Sequence, residues 1–117
     1  MTGFDRLARE KDFVAVFPDG TARIGNLRTW NAGHCCAAAM RANIDDVGFI
    51  NALIDEMDQR FGIDPTRVYV TGMSNGAMMS HRLGIERSGR IAAIAPVVGA
   101  LFGDERPPAH PVAVMVI

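Results

Sequence analysis

Val68-Tyr-Val-Thr-Gly-Met-Ser-Asn-Gly-Ala-Met-Met-Ser80 is the stretch that decides how this chain of 117 residues folds. Its first residues, 68–70, are β-branched and aromatic, which favours a strand. Residues 72–76 contain two glycines around a serine, and residues 77–85 are compatible with a helix. The stretch therefore predicts a strand, a sharp turn and a helix, with Ser74 at the tip of the turn.

The turn has the pattern G-x-S-x-G, which places a serine where the backbone is strained. A residue on so tight a turn is expected to have a positive φ. Gly72 and Gly76 are expected to let the neighbouring backbones approach closely. The Ser74 hydroxyl would then stand clear of the sheet, where the Asn75 N–H and the helix dipole can stabilise an oxyanion. We interpret the turn as a nucleophile elbow. The alternative is a plain glycine-rich turn, because such short patterns also arise by chance.

Composition limits the possible classes of protein. A chain of 117 residues forms one domain at most, and 49% hydrophobic with 21% charged residues is ordinary for a globular protein. The net charge of −1 gives no electrostatic basis for binding nucleic acid or an anionic membrane. No apolar run reaches the ~20 residues of a membrane-spanning helix. Residues 1–10 lack the apolar segment of a signal peptide, and localisation stays open.

The two cysteines, Cys35 and Cys36, are adjacent. Bonding them to each other would require a strained vicinal disulfide. Two cysteines are also too few for a disulfide framework or a zinc site. We therefore expect free thiols, and neither a metal nor a cofactor.

Four apolar runs predict strands. They are Phe13–Phe17, Val68–Val70, Ile91–Val98 and Pro111–Ile117. Residues 21–41 show no clear period and predict a long loop. The expected class is α/β: a mostly parallel sheet of about four strands with flanking helices, in a single domain over residues 1–117.

One long helix is predicted after the loop. Asn43 or Asp45 is the expected N-cap, and Gly62 is the expected C-terminal cap. Apolar residues recur at steps of three and four from Val47 to Phe61, which gives the helix one apolar face. The Asp45-Asp46 pair is interpreted as part of the helix N-terminus rather than as a metal site.

Six runs together carry a resemblance to a known family. They are Phe17-Pro-Asp-Gly20, Arg28-Thr-Trp-Asn-Ala-Gly33 with Cys35-Cys36, Asp45-Asp-Val-Gly-Phe49, Asp64-Pro65, Arg67–Gly76 and Ala92–Val98. In this order they resemble the polyhydroxybutyrate depolymerase and feruloyl-esterase-like family of the α/β-hydrolases. The resemblance implies a partial α/β-hydrolase fold and a serine esterase that acts on a small-molecule or polymer ester. Ser74 would be the nucleophile and the Asn75 N–H an oxyanion donor.

The resemblance also implies that several parts of that fold have no match here. The family's second oxyanion donor, catalytic acid and histidine lie outside the matched runs, so the chain resembles a truncated, central part of a hydrolase. It would act, if at all, on short acyl esters. The alternatives are a non-catalytic fragment and a half-enzyme that a partner or oligomerisation completes.

Three histidines could act as the base that a serine nucleophile needs. His81 follows Ser74 on the same helix at an axial offset of roughly 10 Å, which is too far. His110 precedes its strand and therefore lies at the wrong edge of the sheet. His34 lies in the long loop at the correct edge and is the candidate base. Its candidate orienting groups are Asp19 and Asp104.

Other candidates surround the same edge. Trp30 and Asn31 are interpreted as lining a substrate pocket or as pinning the loop, and Met73 as a further substrate contact. Met73, Met78 and Met79 together predict core packing beneath the helix. Arg28 is expected to face solvent.

The family sheet order predicts self-association. The strand that normally lies between the Phe13 and Val68 strands is not matched, so two apolar edges are left open. Either these strands pair directly or a second copy fills the gap. We expect a strand-mediated or domain-swapped homo-oligomer. Light scattering at micromolar concentration tests this, and a monomer mass would contradict it.

Overall fold

A computed structural model describes residues 3–35 and 37–117. Four helices and five strands occur in this part of the chain. They are α1 Phe4–Lys11, β1 Thr21–Ile24, β2 Leu27–Thr29, α2 Ala37–Arg41, α3 Asp46–Phe61, β3 Tyr69–Met73, α4 Asn75–Glu86, β4 Ala93–Val97 and β5 Ala113–Val114. None of these helices has the length and apolar character needed to cross a bilayer.

The central sheet is parallel and has the order β3-β4-β5. Tyr69 is paired with Ala93, and Ala93 with Ala113. Hydrogen bonds between β4 and the chain after β5 continue the pairing of these two strands. The Ile117 N–H, for example, donates to the Pro96 carbonyl at 3.0 Å. The predicted α/β class and parallel sheet are confirmed. The sheet has three strands rather than about four.

The predicted strand Phe13–Phe17 is wrong, because these residues form no strand. Apolar composition favours a strand, but a strand also needs a neighbour for its backbone hydrogen bonds. Among the described residues β3 pairs only with β4, so the Phe13 and Val68 runs do not pair directly. The run stays exposed, with Phe17 at 62%.

The predicted loop over residues 21–41 is also wrong. β1 and β2 form an antiparallel hairpin, with Thr21 opposite Thr29. Their connection contains Gly25-Asn26, and Gly25 has φ +59°. A two-residue turn beginning with glycine favours a hairpin even where no apolar period is visible. The alanines at the start of α2 favour a helix for the same local reason.

Helix α3 has both predicted caps. The Asp45 side chain accepts from the Gly48 N–H at 2.9 Å, and Gly62 is left-handed at φ +59°. Val47 is buried near the start of the helix, and Phe61 at its end is 61% exposed. The apolar face therefore packs mainly through its first turns.

The core lies between the helices and one face of the sheet. Val47 of α3 packs with Met79 and Leu83 of α4, and partly buried side chains complete the cluster: Trp30, Ile50 and Val70. Arg90, just before β4, ties this layer together by donating to the Asn51 side chain at 2.9 Å and to Asp55 at 2.7 Å.

The other face of β3 is bare. Side chains alternate along a strand, so Val70 points toward the helices whereas Tyr69 and Met73 point away. These two are 62% and 71% exposed. The expectation that Met73 packs in the core with Met79 is therefore wrong, although Met79 itself is buried.

Cys35 is disulfide-bonded, which corrects the expectation of a free thiol. Cys36 lies outside the described residues. Local chain geometry decides whether a disulfide forms, and the sequence alone does not specify that geometry.

Candidate active site

Ser74 stands between the last residue of β3 and the first of α4. Its backbone has φ +55° and ψ −115°, which is strained for a residue with a side chain. The predicted order of strand, turn and helix is therefore confirmed, as is the positive φ. The side chain is exposed at the carboxyl edge of the parallel sheet.

Hydrogen bonds fix both sides of the Ser74 backbone. The Ser74 N–H donates to the Val97 carbonyl at 3.0 Å, and the Ser74 carbonyl accepts from the Met78 N–H at 3.1 Å. The hydroxyl makes no hydrogen bond within residues 3–35 and 37–117. The backbone is thus held by its neighbours while the hydroxyl stays available.

Two glycines permit the close contacts of this turn. A Cβ on Gly72 would overlap the Gly76 carbonyl group, with its carbon 2.5 Å away. A Cβ on Gly99 would lie 2.5 Å from the Ala77 Cβ and 2.9 Å from the Ser74 carbonyl oxygen. Gly76 differs, because a Cβ there would meet nothing within 4 Å. The expected steric need for Gly72 is confirmed and that for Gly76 is wrong, since the side-chain direction at Gly76 is open.

A second strained residue lies beside Ser74. Val98 follows β4 and has φ +49°, an outlier for a β-branched side chain. Its N–H donates to the Ile117 carbonyl at 3.0 Å, and its side chain is 74% exposed. Two neighbouring strands therefore end in strained backbone at the same edge.

The Asn75 side chain connects this turn to the segment after the hairpin. Its Oδ1 accepts from the Trp30 N–H at 2.7 Å, and its Nδ2 donates to the Trp30 carbonyl at 3.1 Å. The pair of bonds fixes the side-chain amide in one orientation. The Asn75 N–H has no acceptor in the described part of the chain, as expected for the first N–H groups of a helix.

Asn31 is buried at 3% exposure and all its polar groups are engaged. Its N–H donates to Asp46 Oδ2 at 2.7 Å, and its carbonyl accepts from Arg82 Nη1 at 2.6 Å. Its side chain donates to the Ile44 carbonyl at 3.0 Å and accepts from the Gly33 N–H at 3.2 Å. Of the two predicted roles, this geometry matches loop pinning.

Trp30 is half-buried. Its ring stacks on Phe49 of α3 at a centroid distance of 6.4 Å and packs against the core cluster. Trp30 therefore also holds the segment to the body of the protein.

His34 has a carboxylate partner. Its Nε2 lies 2.9 Å from Asp104 Oδ1, with the two side chains 52% and 64% exposed. The ring also contacts Phe102, with centroids 5.0 Å apart. Of the two candidate orienting acids, Asp19 and Asp104, it is Asp104 that lies beside His34. No hydrogen bond joins His34 to Ser74 in the described structure.

A turn over residues 102–105 presents Asp104 to His34. The Glu105 carboxylate accepts from the Phe102 N–H at 2.5 Å and from the Gly103 N–H at 2.8 Å. The Phe102 hydrogen bond is the main cause that lowers the pKa of Glu105. The turn is therefore favoured by the ionised carboxylate.

The other histidines lie away from Ser74. His34 and His81 both line a hollow of about 360 Å³ beside α4, and Ser74 is not among its lining residues. The His110 N–H donates to Ser88 Oγ at 3.1 Å, before β5.

Arg28 is exposed, as expected, with a long contact of 3.4 Å to the Gly20 carbonyl. Within the described residues no group of three or more metal-binding side chains occurs.

Sequence reasoning missed two contributors. The sequence predicts Asp46 only as a charge at the helix terminus, whereas Asp46 is 3% exposed and binds Asn31. Two adjacent acids at the start of a helix are a usable signal for a second contact. Adjacent side chains point in different directions, so when one acid caps the helix the other faces another part of the protein. Arg82 gave no local signal, since its partner Asn31 is remote in sequence.

The chain is similar to curated proteins of one broad class, the esterase-type hydrolases. No protein-family model matches it, and no solved structure matches it significantly.

Three of these relatives define the similarity. A feruloyl esterase B of Piromyces equi is 37% identical over 83 residues, which is 71% of this chain and 14% of that protein. A bifunctional acetylxylan esterase/xylanase of Neocallimastix patriciarum is 30% identical over 106 residues, 90% of this chain and 14% of that protein. A poly(3-hydroxyalkanoate) depolymerase C of Paucimonas lemoignei is 40% identical over 53 residues, 45% of this chain and 13% of that protein. The chain thus spans about a seventh of the length of these relatives.

Gly72 and Gly76 should respond differently to the same added methyl group. Gly72→Ala should lower the free energy of unfolding by about 1–3 kcal/mol, because the Cβ collides with backbone that cannot move freely. Gly76→Ala is the matched control and should stay within about 1 kcal/mol of the parent, since alanine also favours the helix. Urea unfolding followed by circular dichroism measures both. Equal stability of the two variants would contradict the close contact at Gly72.

The turn over residues 102–105 should loosen in acid. Because the pKa of Glu105 is lowered in the folded protein, its ionised carboxylate stabilises the turn at pH values above the ordinary pKa of a glutamate. This stabilisation is lost as the pH falls through the lowered pKa. The Phe102 and Gly103 amide resonances should therefore move together as the pH falls below the ordinary pKa of a glutamate carboxyl, about 4.3. Glu105→Gln should show the loosened positions already at neutral pH. Amide shifts that stay constant through the titration would contradict the carboxylate bonds.

Proposed function

We propose that this chain carries the nucleophile of a serine carboxylic-ester hydrolase, with Ser74 as that nucleophile on a nucleophile elbow. One observation carries the proposal: Ser74 is held at φ +55° between strand and helix, with its hydroxyl exposed and unbonded within the described residues. Strain of this kind persists only when surrounding contacts enforce it, and it concentrates at functional sites. The similarity to esterase-type hydrolases supports the same chemistry.

The elbow can serve both steps of ester hydrolysis. Ser74 Oγ attacks the ester carbonyl carbon and gives its proton to a base, and the carbonyl oxygen becomes an oxyanion. The Asn75 N–H, which has no acceptor within residues 3–35 and 37–117 and lies at the amino end of α4, donates to that oxyanion. Collapse expels the alcohol, which takes the proton, and water then releases the acid from the acyl-serine by the same route.

His34 is the base that we propose from within the chain. It already has an orienting carboxylate in Asp104, at 2.9 Å. A base, an orienting acid and a serine are the three parts of a triad. Catalysis through His34 then requires the 32–35 segment to bring its ring within hydrogen-bond reach of Ser74.

A second candidate function follows from the same exposed hydroxyl. Ser74 has no base within hydrogen-bond distance among the described residues. In this alternative, the chain supplies the nucleophile and a partner, a second copy or another part of a longer protein supplies the histidine. Without that supply the chain is a non-catalytic part of a hydrolase.

The substrate class that we propose is a carboxylic ester with a short acyl group. The relatives are named for feruloyl, acetylxylan and hydroxyalkanoate substrates, and ester chemistry is what these share. Met73 and Val98, 71% and 74% exposed beside Ser74, offer apolar surface for the acyl group. We assign loop pinning rather than substrate contact to Asn31, because it has no free polar group.

The test is hydrolysis of p-nitrophenyl acetate and butyrate. Ser74→Ala should reduce the rate to that of buffer, because no other group carries the acyl intermediate. A rate equal to that of the parent would refute the nucleophile.

The histidines then separate the two candidates. His34→Ala should lower kcat by about 10²-fold or more if His34 is the base. His81→Ala is the matched control and should leave kcat unchanged. If only Ser74→Ala abolishes activity, the base comes from elsewhere, and the second candidate stands.

A further inference from the structure

We propose that Asp46 is a positioning residue for the Ser74–Asn75 turn. It holds the Trp30–Asn31 segment, which in turn holds the Asn75 side chain. The catalytic part of this inference rests on the function proposed above. The structural part can be measured without any ester hydrolysis.

The first step is the buried carboxylate. Asp46 is 3% exposed, and its Oδ2 accepts from the Asn31 N–H at 2.7 Å. The carboxylate lies in the first turn of α3, where the helix dipole favours negative charge. A hydrogen bond to an ionised acceptor is stronger than one between neutral groups. Asp46 therefore anchors the main chain of Asn31 to the rigid start of α3.

The second step leads from Asn31 to the Ser74–Asn75 turn. The Trp30 carbonyl, which accepts from Asn75 Nδ2 at 3.1 Å, belongs to the same peptide unit as the Asn31 N–H. The Trp30 N–H donates to Asn75 Oδ1 at 2.7 Å. One peptide plane is thus held by Asp46 on its N–H and by Asn75 on its carbonyl. Rotation of that plane would break both bonds together.

The third step closes the connection on α4. Arg82 Nη1 donates to the Asn31 carbonyl at 2.6 Å, and the Arg82 side chain is only 25% exposed and paired with Glu86. Asn31 is therefore held by α3 through its N–H and by α4 through its carbonyl. The segment is a main-chain bridge between the helix that begins at Asp46 and the helix that begins beside Ser74.

The neighbouring acid supplies a matched control. Asp45 also lies at the start of α3, but it caps the helix through the Gly48 N–H at 2.9 Å and does not bond to Asn31. Asp45→Ala and Asp46→Ala both remove one carboxylate from the same helix end. The positioning role predicts that only Asp46→Ala affects the Trp30 segment.

The experiment uses the fluorescence of Trp30, the one tryptophan in the sequence. Its ring is half-buried against Phe49, so release of the segment should move the emission to longer wavelength and increase quenching by acrylamide. Loss of a hydrogen bond to a charged group should shift the equilibrium between held and released segment about tenfold or more. Asp46→Ala should show this change, Asp45→Ala should match the parent, and Asp46→Asn, which retains an acceptor oxygen, should lie between them.

A double variant tests whether the effect passes to Asn75. Asn75→Ala removes the other end of the connection and should also release Trp30. If both residues act through one segment, Asp46→Ala combined with Asn75→Ala should change the emission no more than the larger single change. Additive changes would overturn the proposed connection. Far-ultraviolet circular dichroism restricts the comparison to folded variants. If Asp46→Ala does not fold, Asp46→Asn carries the same test.

Ester hydrolysis provides the second readout. Where the parent is active, Asp46→Ala should lower kcat about tenfold with a smaller change in KM, because the oxyanion donor is misplaced more than the substrate surface. Asp45→Ala should keep the parent kcat. An inactive parent would refute His34 as a base within this chain and favour the second candidate, while the fluorescence still decides the positioning of Asn75. Parent-like emission in folded Asp46→Ala would refute the positioning whatever the activity.

Discussion

The strained backbone of Ser74 is the constraint on which the arrangement around it depends. A φ of +55° with ψ −115° costs of order 1–3 kcal/mol for a residue with a side chain. The surrounding structure offsets this cost from several directions. A carbonyl at the end of β4 accepts from the Ser74 N–H, and an N–H of α4 donates to the Ser74 carbonyl. The absence of a side chain at Gly72 leaves room for the Gly76 backbone, which a Cβ on Gly72 would overlap. The serine is therefore fixed by backbone contacts, none of which involve its hydroxyl.

That separation explains which parts of the site the sequence could predict. Strand, turn, helix and positive φ at Ser74 are local consequences of residues 68–85, where apolar period and glycine spacing act over a few positions. The caps at Asp45 and Gly62 are local in the same sense. The parallel pairing of β3 with β4 follows from the helix that connects them, although the number of strands was not predicted correctly. These features needed no knowledge of distant contacts.

The parts that failed depend on partners remote in sequence. Phe13–Phe17 has the composition of a strand, but pairing is a property of two segments, and in the described part of the chain β3 pairs only with β4. Met73 was assigned to the core because it is apolar, yet which face of β3 is covered depends on where α4 crosses the sheet. Asp46 and Arg82 meet at Asn31 from two helices, and no period in either helix indicates it. Propensity describes a segment alone, whereas burial and hydrogen bonding depend on its surroundings.

The same separation limits what the strained serine implies about catalysis. Positioning a nucleophile requires only that β3, α4 and the Trp30 segment keep their contacts, and all three lie within the described residues. Activating it requires a base at hydrogen-bond distance, which is a contact of the hydroxyl and not of the backbone. Since no backbone contact of Ser74 passes through His34 or Asp104, losing or adding a base would leave φ at Ser74 unchanged. The geometry of the turn and the supply of a proton acceptor are therefore independent properties of this protein, and only the second decides whether the proposed ester hydrolysis can occur.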